Sequence, residues 1–153
     1  ITSATLTIKD IYNWADEPNR LFIHLLDSAQ HAGVAVGPDR EEGIVDYYLN
    51  PDPSLGPPYG PANILLDAPS FAGGYENRVD YVYRFTPEQL AILQAFIDND
   101  GQFAFGFDPD CHYSNGGITF EAATAPEPAS MLLVGTCLLA AAMALRRRRP
   151  PRQ

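Results

Sequence analysis

The feature that most restricts the fold of this chain is an apolar run near its C-terminal end. Residues 129–145 carry no charged side chain and are rich in Leu and Ala, and Arg146, Arg147, Arg148 and Arg149 follow directly. A helix of this length is about 25 Å long, close to the ~30 Å hydrocarbon core of a bilayer. Arginine side chains reach the headgroups from a helix end but are costly to carry through hydrocarbon. The pattern therefore predicts a transmembrane helix over residues 129–145 that stops at these four residues, the arginine block.

The arginine block also predicts an orientation. Basic residues beside a membrane span stay on the cytoplasmic side. Residues 150–153 are then a cytoplasmic tail, and residues 1–124 form a domain outside the cytoplasm. The N-terminus is expected outside.

A tripeptide directly before the apolar run carries a resemblance to a known family. Pro126, Glu127 and Pro128, a short apolar helix and an arginine cluster occur in this order at the end of the chain. This arrangement resembles the PEP-CTERM sorting signal of Gram-negative bacteria, also described as an ice-binding-protein C-terminal domain. It places the signal at residues 125–149, with Ala125 where the family usually has Val.

The resemblance implies how the tail works. In that family a membrane-embedded enzyme similar to cysteine transpeptidases, exosortase, is expected to cut an inner-membrane precursor near the Pro-Glu-Pro tripeptide. The product then reaches the cell surface or the exopolysaccharide matrix. The alternative is an ordinary single-span anchor; a GPI signal fits poorly, because its hydrophobic tail should not end in arginines.

The first residue is also informative. The chain begins at Ile1 without a Met or a signal-peptide pattern. Because a protein with this tail must be exported, we expect the domain to be N-terminally incomplete and a signal peptide to precede it.

Charge divides the chain into two parts. Residues 1–125 hold 5 basic and 18 acidic side chains, a net charge of −13, whereas residues 126–153 hold 5 basic and 1 acidic, a net charge of +4. An exported domain this acidic repels phosphate backbones, so we expect no nucleic-acid partner.

Short apolar segments between Gly- and Pro-rich connections predict an all-β domain. Ala4, Leu6 and Ile8 alternate with threonines, the period of a half-buried strand. Strands are predicted at residues 1–8, 21–26, 44–49, 63–66, 78–85, 102–107 and 118–123, with a further short one at 34–36. The opening and closing strands weakly resemble jelly-roll domains of the galactose-binding type. The predicted fold is a jelly-roll-like β-sandwich with one short helix, followed by the transmembrane helix.

The short helix has the strongest local signal. Thr86 can cap it, Pro87 suits its first turn and Gln89 completes a capping box. Leu90, Leu93 and Ile97 recur at helical spacing, and Gly101 is the predicted C-cap.

The loop at residues 108–117 is the densest polar stretch of the domain. Asp108, Asp110 and Asn115 are hard oxygen donors that suit Ca²⁺, although the loop does not match an EF-hand. The alternative is a plain connection whose Asp and Asn side chains bond their own backbone. We therefore expect no cofactor unless this loop binds calcium.

No residue set predicts catalysis. Cys111 and His112 are adjacent and lack a third orienting group, and the histidines and cysteines have no recognised zinc spacing. Cys137 lies in the predicted membrane helix, so the two cysteines cannot pair. His24, in an apolar strand, is expected to be a hydrogen-bonded core or edge histidine. The chain is predicted not to be an enzyme.

Aromatic side chains offer a second binding surface. Flat rings pack on the apolar faces of sugars, and Trp14 and Tyr113 are the leading candidates. The other candidates for such a platform are Tyr12, Tyr47, Tyr48, Tyr59 and Tyr75. The alternative is that these rings fill the core or fasten loops.

The sequence thus predicts an exported cell-surface or exopolysaccharide-matrix protein of a Gram-negative bacterium. Its expected partners are the inner membrane, exosortase and exopolysaccharide. The alternative function is a carbohydrate-binding module, with or without Ca²⁺, delivered by the same tail.

Overall fold

A computed structural model describes residues 1–15, 17, 19–28, 33, 46, 48, 63–110 and 112–125. The chain divides into two compact units, Ile1–Ala123 and Thr124–Gln153. All elements described belong to the first unit. The predicted transmembrane helix at 129–145 lies outside the described residues, and so does the predicted strand at 34–36. Of the strand predicted at 44–49, only Asp46 and Tyr48 are described, and neither is in a strand.

Two antiparallel sheets and one helix make up the described domain. The elements are β1 (Ser3–Asn13), β2 (Leu21–Leu26), β3 (Asn63–Asp67), a 3-10 turn (Tyr75–Asn77), β4 (Val79–Arg84), α1 (Pro87–Asp100), β5 (Ala104–Pro109), β6 (Tyr113–Ser114) and β7 (Gly117–Ala123). In the first sheet β1 pairs with β4 on one side and with β6 and β7 on the other. In the second sheet β2 lies between β3 and β5.

This composition confirms the predicted all-β class with a single helix. Apolar residues from both sheets and from α1 join one buried cluster: Ala4, Leu6, Ile8, Ile11, Leu21, Ile23, Leu25, Leu66, Phe85, Leu93 and Phe96. The sandwich and the jelly-roll topology stay predictions. In the described part of the chain, no helix is both long and apolar enough to cross a membrane.

β1 is longer than its alternation predicts, because a bulge interrupts the period. Ile8 and Ile11 are both buried, while Lys9 and Asp10 between them are exposed, and the register with β4 shifts at this point. Asp80 of β4 holds the bulge: its carboxylate lies 2.6 Å from Lys9 Nζ and accepts from the Asp10 amide at 3.1 Å. The Lys9 hydrogen bond holds the pKa of the Asp80 carboxyl below its usual value. The extra residue restores the inward phase, so the strand continues to Asn13 instead of ending at Ile8.

The helix begins and ends where the sequence predicts. The Thr86 side chain accepts from the Gln89 amide, and the Gln89 side chain accepts from the Thr86 amide, which completes the capping box. Gly101 ends the helix in the left-handed region, with φ 77°.

The core contains a polar pair on β2, which confirms His24 as a hydrogen-bonded core histidine. Its side chain is fully buried; Nε2 lies 3.0 Å from Asp46 Oδ2, and Nδ1 lies 3.2 Å from Asn63 Oδ1. The Tyr48 ring covers the imidazole at a centroid distance of 4.7 Å. Gly106, opposite His24 on β5, leaves room for that ring, because a Cβ there would overlap it.

Candidate functional site

The C-terminal end of β1 presents aromatic side chains to solvent because Asn13 fixes the backbone there. Asn13 is buried; its Oδ1 accepts from the Ala15 amide and its Nδ2 donates to the Glu17 carbonyl, each at 3.0 Å. Its own carbonyl accepts from the Gly74 amide at 2.8 Å. These bonds tie the chain after β1 to the segment before the 3-10 turn.

Trp14 follows Asn13 and packs against His112. The Trp14 amide donates to the His112 carbonyl at 2.8 Å, which extends the pairing of β1 with β6 by one step. The two rings meet edge to face, with centroids 4.3 Å apart. Trp14 nevertheless stays 60% exposed. His112 Nδ1 lies 2.8 Å from Glu17 Oε1, so a carboxylate borders the pair.

Tyr12 and Tyr75 form a neighbouring pair. Tyr75, in the 3-10 turn, is 63% exposed, and its ring meets that of Tyr12 edge to face at 5.4 Å. The Arg78 guanidinium lies 4.2 Å from the centroid of the Tyr75 ring, a cation–π contact. Arg78 Nε also lies 3.5 Å from Asp10 Oδ1 at the bulge.

The two pairs are neighbours along the chain. Tyr12 lies in β1 and Trp14 directly follows its last residue, where the backbone still pairs with His112, so we expect Tyr12 and Trp14 to share a face. We name Tyr12, Trp14, Tyr75 and His112 the aromatic strip. Charged groups border both ends of it: Glu17 beside His112, and Arg78 with Asp10 beside Tyr75. Flat apolar rings with polar neighbours can stack on a ligand and bond its edges.

Tyr113, the other aromatic ligand candidate, is placed differently. It pairs with Asn13, so it faces away from Trp14 and His112. Its half-buried ring packs edge to face on Phe71 at 5.7 Å and lines a cavity of about 100 Å³ with Ile8 and Phe107. Burial raises the pKa of its hydroxyl. The structure therefore brings Trp14 together with His112, and Tyr12 together with Tyr75, while Tyr113 contacts Phe71.

The remaining aromatic candidates lie elsewhere. Tyr48 covers His24 inside the domain, and Tyr47 and Tyr59 lie outside the described residues. Sequence reasoning did not find the contacts of His112 and Arg78 with these rings. No local pattern indicates them, because they depend on the pairing of β1 with β6 and on the position of the 3-10 turn.

The calcium candidates occupy three separate positions on the chain. Asp108 lies in β5 opposite Phe22, and the Asp110 amide donates to the Arg20 carbonyl at 2.9 Å. The Asn115 side chain accepts from the Gly117 amide at 2.9 Å, a bond to its own loop backbone as the alternative interpretation expects. Among the described residues no three His, Cys, Asp or Glu side chains form a group that could hold a metal. Cys111 is outside that set, and calcium binding stays a prediction.

Comparison with known proteins identifies the C-terminal segment. The described residues define an all-β domain with an exposed aromatic strip. Residues 124–149 match the PEP-CTERM protein-sorting motif, which confirms the resemblance drawn from Pro126, Glu127, Pro128 and the arginine block. The match supports a protein that is exported and sorted by exosortase at the membrane. No curated protein and no solved structure is significantly similar to the chain. The motif residues from Pro126 onward lie outside the described part of the structure.

Proposed function

We propose that this chain is a cell-surface or exopolysaccharide-matrix protein of a Gram-negative bacterium, and that its acidic β domain is the delivered cargo. The match of residues 124–149 to the PEP-CTERM motif carries the proposal. The charge contrast supports it, because the tail holds a net charge of +4 and the preceding residues −13. In this proposal the chain is not an enzyme and needs no cofactor.

The mechanism lies in the tail. The apolar run halts in the inner membrane as a helix, with the arginine block inside and the domain outside. The block sets the depth of the helix, because moving the guanidinium groups into hydrocarbon is costly. Depth in turn places Pro126, Glu127 and Pro128 where exosortase can cut.

The test compares three forms of the complete gene in native cells: unchanged, without Arg146–Arg149, and with these four residues replaced by lysine. The proposal expects a mature C-terminus near residues 126–128 by mass spectrometry, loss of release without the block, and retention of release with lysine. Release that is unaffected by deleting the block would refute the depth mechanism. A native protein that still ends beyond Arg149 would refute processing itself.

A second candidate function is a carbohydrate-binding module delivered by the same tail. One observation favours it: Trp14 and Tyr75, both candidates for a sugar platform, are 60% and 63% exposed. Core-filling rings would be covered. Polysaccharide pull-down with Trp14→Ala as the comparison tests this candidate.

A further inference from the structure

We propose that the aromatic strip binds an extended neutral polysaccharide, whose sugar rings stack on Trp14 and Tyr75. This inference rests on the second candidate function and names its site and ligand class. Tyr113 is not part of the site.

The aromatic strip is chemically complementary to a sugar ring. A pyranose has an apolar C–H face and an edge of hydroxyl groups. The strip offers aromatic faces, with a carboxylate at Glu17 and the Arg78–Asp10 pair at its borders. These groups accept and donate hydrogen bonds at the edges of a stacked ring. Protein interfaces also enrich Trp, Tyr and Arg but deplete Asp and Glu, whereas Asp10 and Glu17 lie beside these rings.

The rings are held in place before any ligand arrives. Trp14 is fixed by its amide bond to the His112 carbonyl and by ring contact with His112. Tyr75 is fixed between Tyr12 and Arg78. Preorganised side chains lose little entropy on binding, which favours affinity from a small contact area.

The backbone around the strip is strained. Within the described residues, Asp10 with φ 48° and His112 with φ 68° are the non-glycine residues in the left-handed region. Asp10 borders the Tyr75 end and His112 belongs to the Trp14 end. Such conformations persist when surrounding contacts enforce them, and they concentrate at functional sites.

The negative charge on and around the strip favours an uncharged ligand. Glu17 and Asp10 border the strip, 57% and 63% exposed, and residues 1–125 carry a net charge of −13. An anionic polymer would be repelled, most strongly at low salt.

The spacing of the aromatic rings favours a ligand of more than one sugar. Tyr12 and Trp14 are two residues apart on an extended chain, about 7 Å, and the Tyr75 ring centroid lies 5.4 Å from that of Tyr12. A single sugar can cover only one end of the strip. Affinity should therefore rise with chain length until both ends are occupied.

Trp14 is the one tryptophan of the chain, so its fluorescence reports directly on the strip. The full chain is purified in dodecyldimethylamine oxide, a detergent without a sugar headgroup, and titrated with cellohexaose, maltohexaose, mannohexaose and a galacturonate hexamer. We expect a saturable change in Trp14 emission, and protection from acrylamide quenching, with at least one neutral hexamer. The matching monosaccharide should bind at least about tenfold more weakly. If no neutral hexamer changes the emission or the quenching, or if the galacturonate hexamer binds best, the proposal is wrong.

Substitutions locate the site. Tyr75→Ala should weaken binding about tenfold, because it removes one of the two rings on which sugars stack, and Tyr75→Phe should retain it. The matched control is Val82→Ala, which removes a 43% exposed apolar side chain of β4 outside the strip. Equal effects of Tyr75→Ala and Val82→Ala would overturn the assignment. These assays do not depend on cutting of the tail, so a failure here leaves the sorting proposal intact, and the reverse also holds.

Discussion

At the scale of single residues, the domain depends on a few polar groups that the core encloses. His24, Asp46 and Asn63 satisfy one another inside an otherwise apolar region, with Tyr48 lying over the imidazole. Polar groups enclosed in this way add little net stability while they are paired, but removing one partner is strongly destabilising.

His24→Ala should lower the free energy of unfolding by about 3 kcal/mol, because it leaves a cavity and removes the imidazole from Asp46 Oδ2, although the Asp46 carboxylate keeps its hydrogen bond from the Tyr48 amide. Urea unfolding followed by circular dichroism measures this. His24→Phe fills the ring volume but restores no hydrogen bond, so it should recover only part of the loss. A urea midpoint unchanged in either variant would contradict the role of the pair.

Gly106→Ala tests the close approach of Tyr48 to β5. The added methyl group meets the Tyr48 ring, so the melting temperature should fall by several degrees, equivalent to about 1–3 kcal/mol of overpacking. The double variant Gly106→Ala/Tyr48→Ala should be less destabilised than the sum of the two single variants. Additive effects would mean that the two residues do not touch.

Ionisation of tyrosine side chains should reduce the stability of the fold at alkaline pH. Burial raises the pKa of Tyr81, Tyr83 and Tyr113 above the ordinary 10.0, and the hydrogen bond from Tyr81 to Asp67 raises the pKa of Tyr81 further. The folded protein keeps these protons where the unfolded chain loses them. Their contribution to stability is therefore complete below about pH 10 and declines as the pH rises above it.

We expect a steady urea midpoint up to about pH 9 and a decline above pH 10. In an ultraviolet titration, these three phenols should ionise at higher pH than exposed tyrosines, and Tyr81→Phe should remove one of them. If all 8 tyrosines of the chain ionised together near the ordinary value with the fold intact, the burial argument would fail.

At the scale of elements, the capping box of α1 also joins the helix to both sheets. Gln89 Oε1 accepts from the Thr86 amide at 2.9 Å. The Tyr83 hydroxyl on β4 accepts from Gln89 Nε2 at 2.6 Å and donates to the Leu66 carbonyl of β3 at 2.8 Å. The helix start is therefore linked through one phenol to a strand of each sheet.

Gln89→Ala should cost more stability than a lost cap alone, because it also removes a partner of Tyr83. Thr86→Ala, which removes only the cap, should cost about 1 kcal/mol. We expect Gln89→Ala to exceed that value and Thr86→Ser to stay close to the unaltered protein, with urea unfolding as the measurement. Equal losses for Gln89→Ala and Thr86→Ala would mean that the link to Tyr83 contributes nothing.

Elements with a local signal could be predicted, and those set by tertiary contacts could not. Leu21–Leu26 and the helix from Pro87 to Asp100 occur where predicted, because apolar runs and capping residues act over short distances. The extension of β1 to Asn13 was missed, since Lys9 and Asp10 break the alternation and Asp80, which stabilises the bulge, lies far along the chain. β6 lies inside a segment predicted as loop, because it pairs only with the extended part of β1.

At the scale of the whole molecule, the same distinction holds for function. The tail was identified from sequence because its tripeptide, apolar run and arginines are contiguous. The aromatic strip was not, since Trp14 and Tyr113 have the same local character as candidates. Only the register of β1 with β6 places Trp14 and His112 on one face and Tyr113 on the other.

The end of β7 has a consequence for the lifetime of the released product. Ala123 is still paired with Ser3, and its carbonyl accepts from the Thr2 amide and the Thr2 hydroxyl at 2.8 and 3.1 Å. Only Thr124 and Ala125 separate this strand from Pro126. A carboxypeptidase needs an unpaired, extended C-terminal segment to begin digestion. A cut at the tripeptide would leave only a few unpaired residues after β7. Trimming of such a product would have to wait for the last strand to detach from the sheet, so we expect it to resist carboxypeptidases.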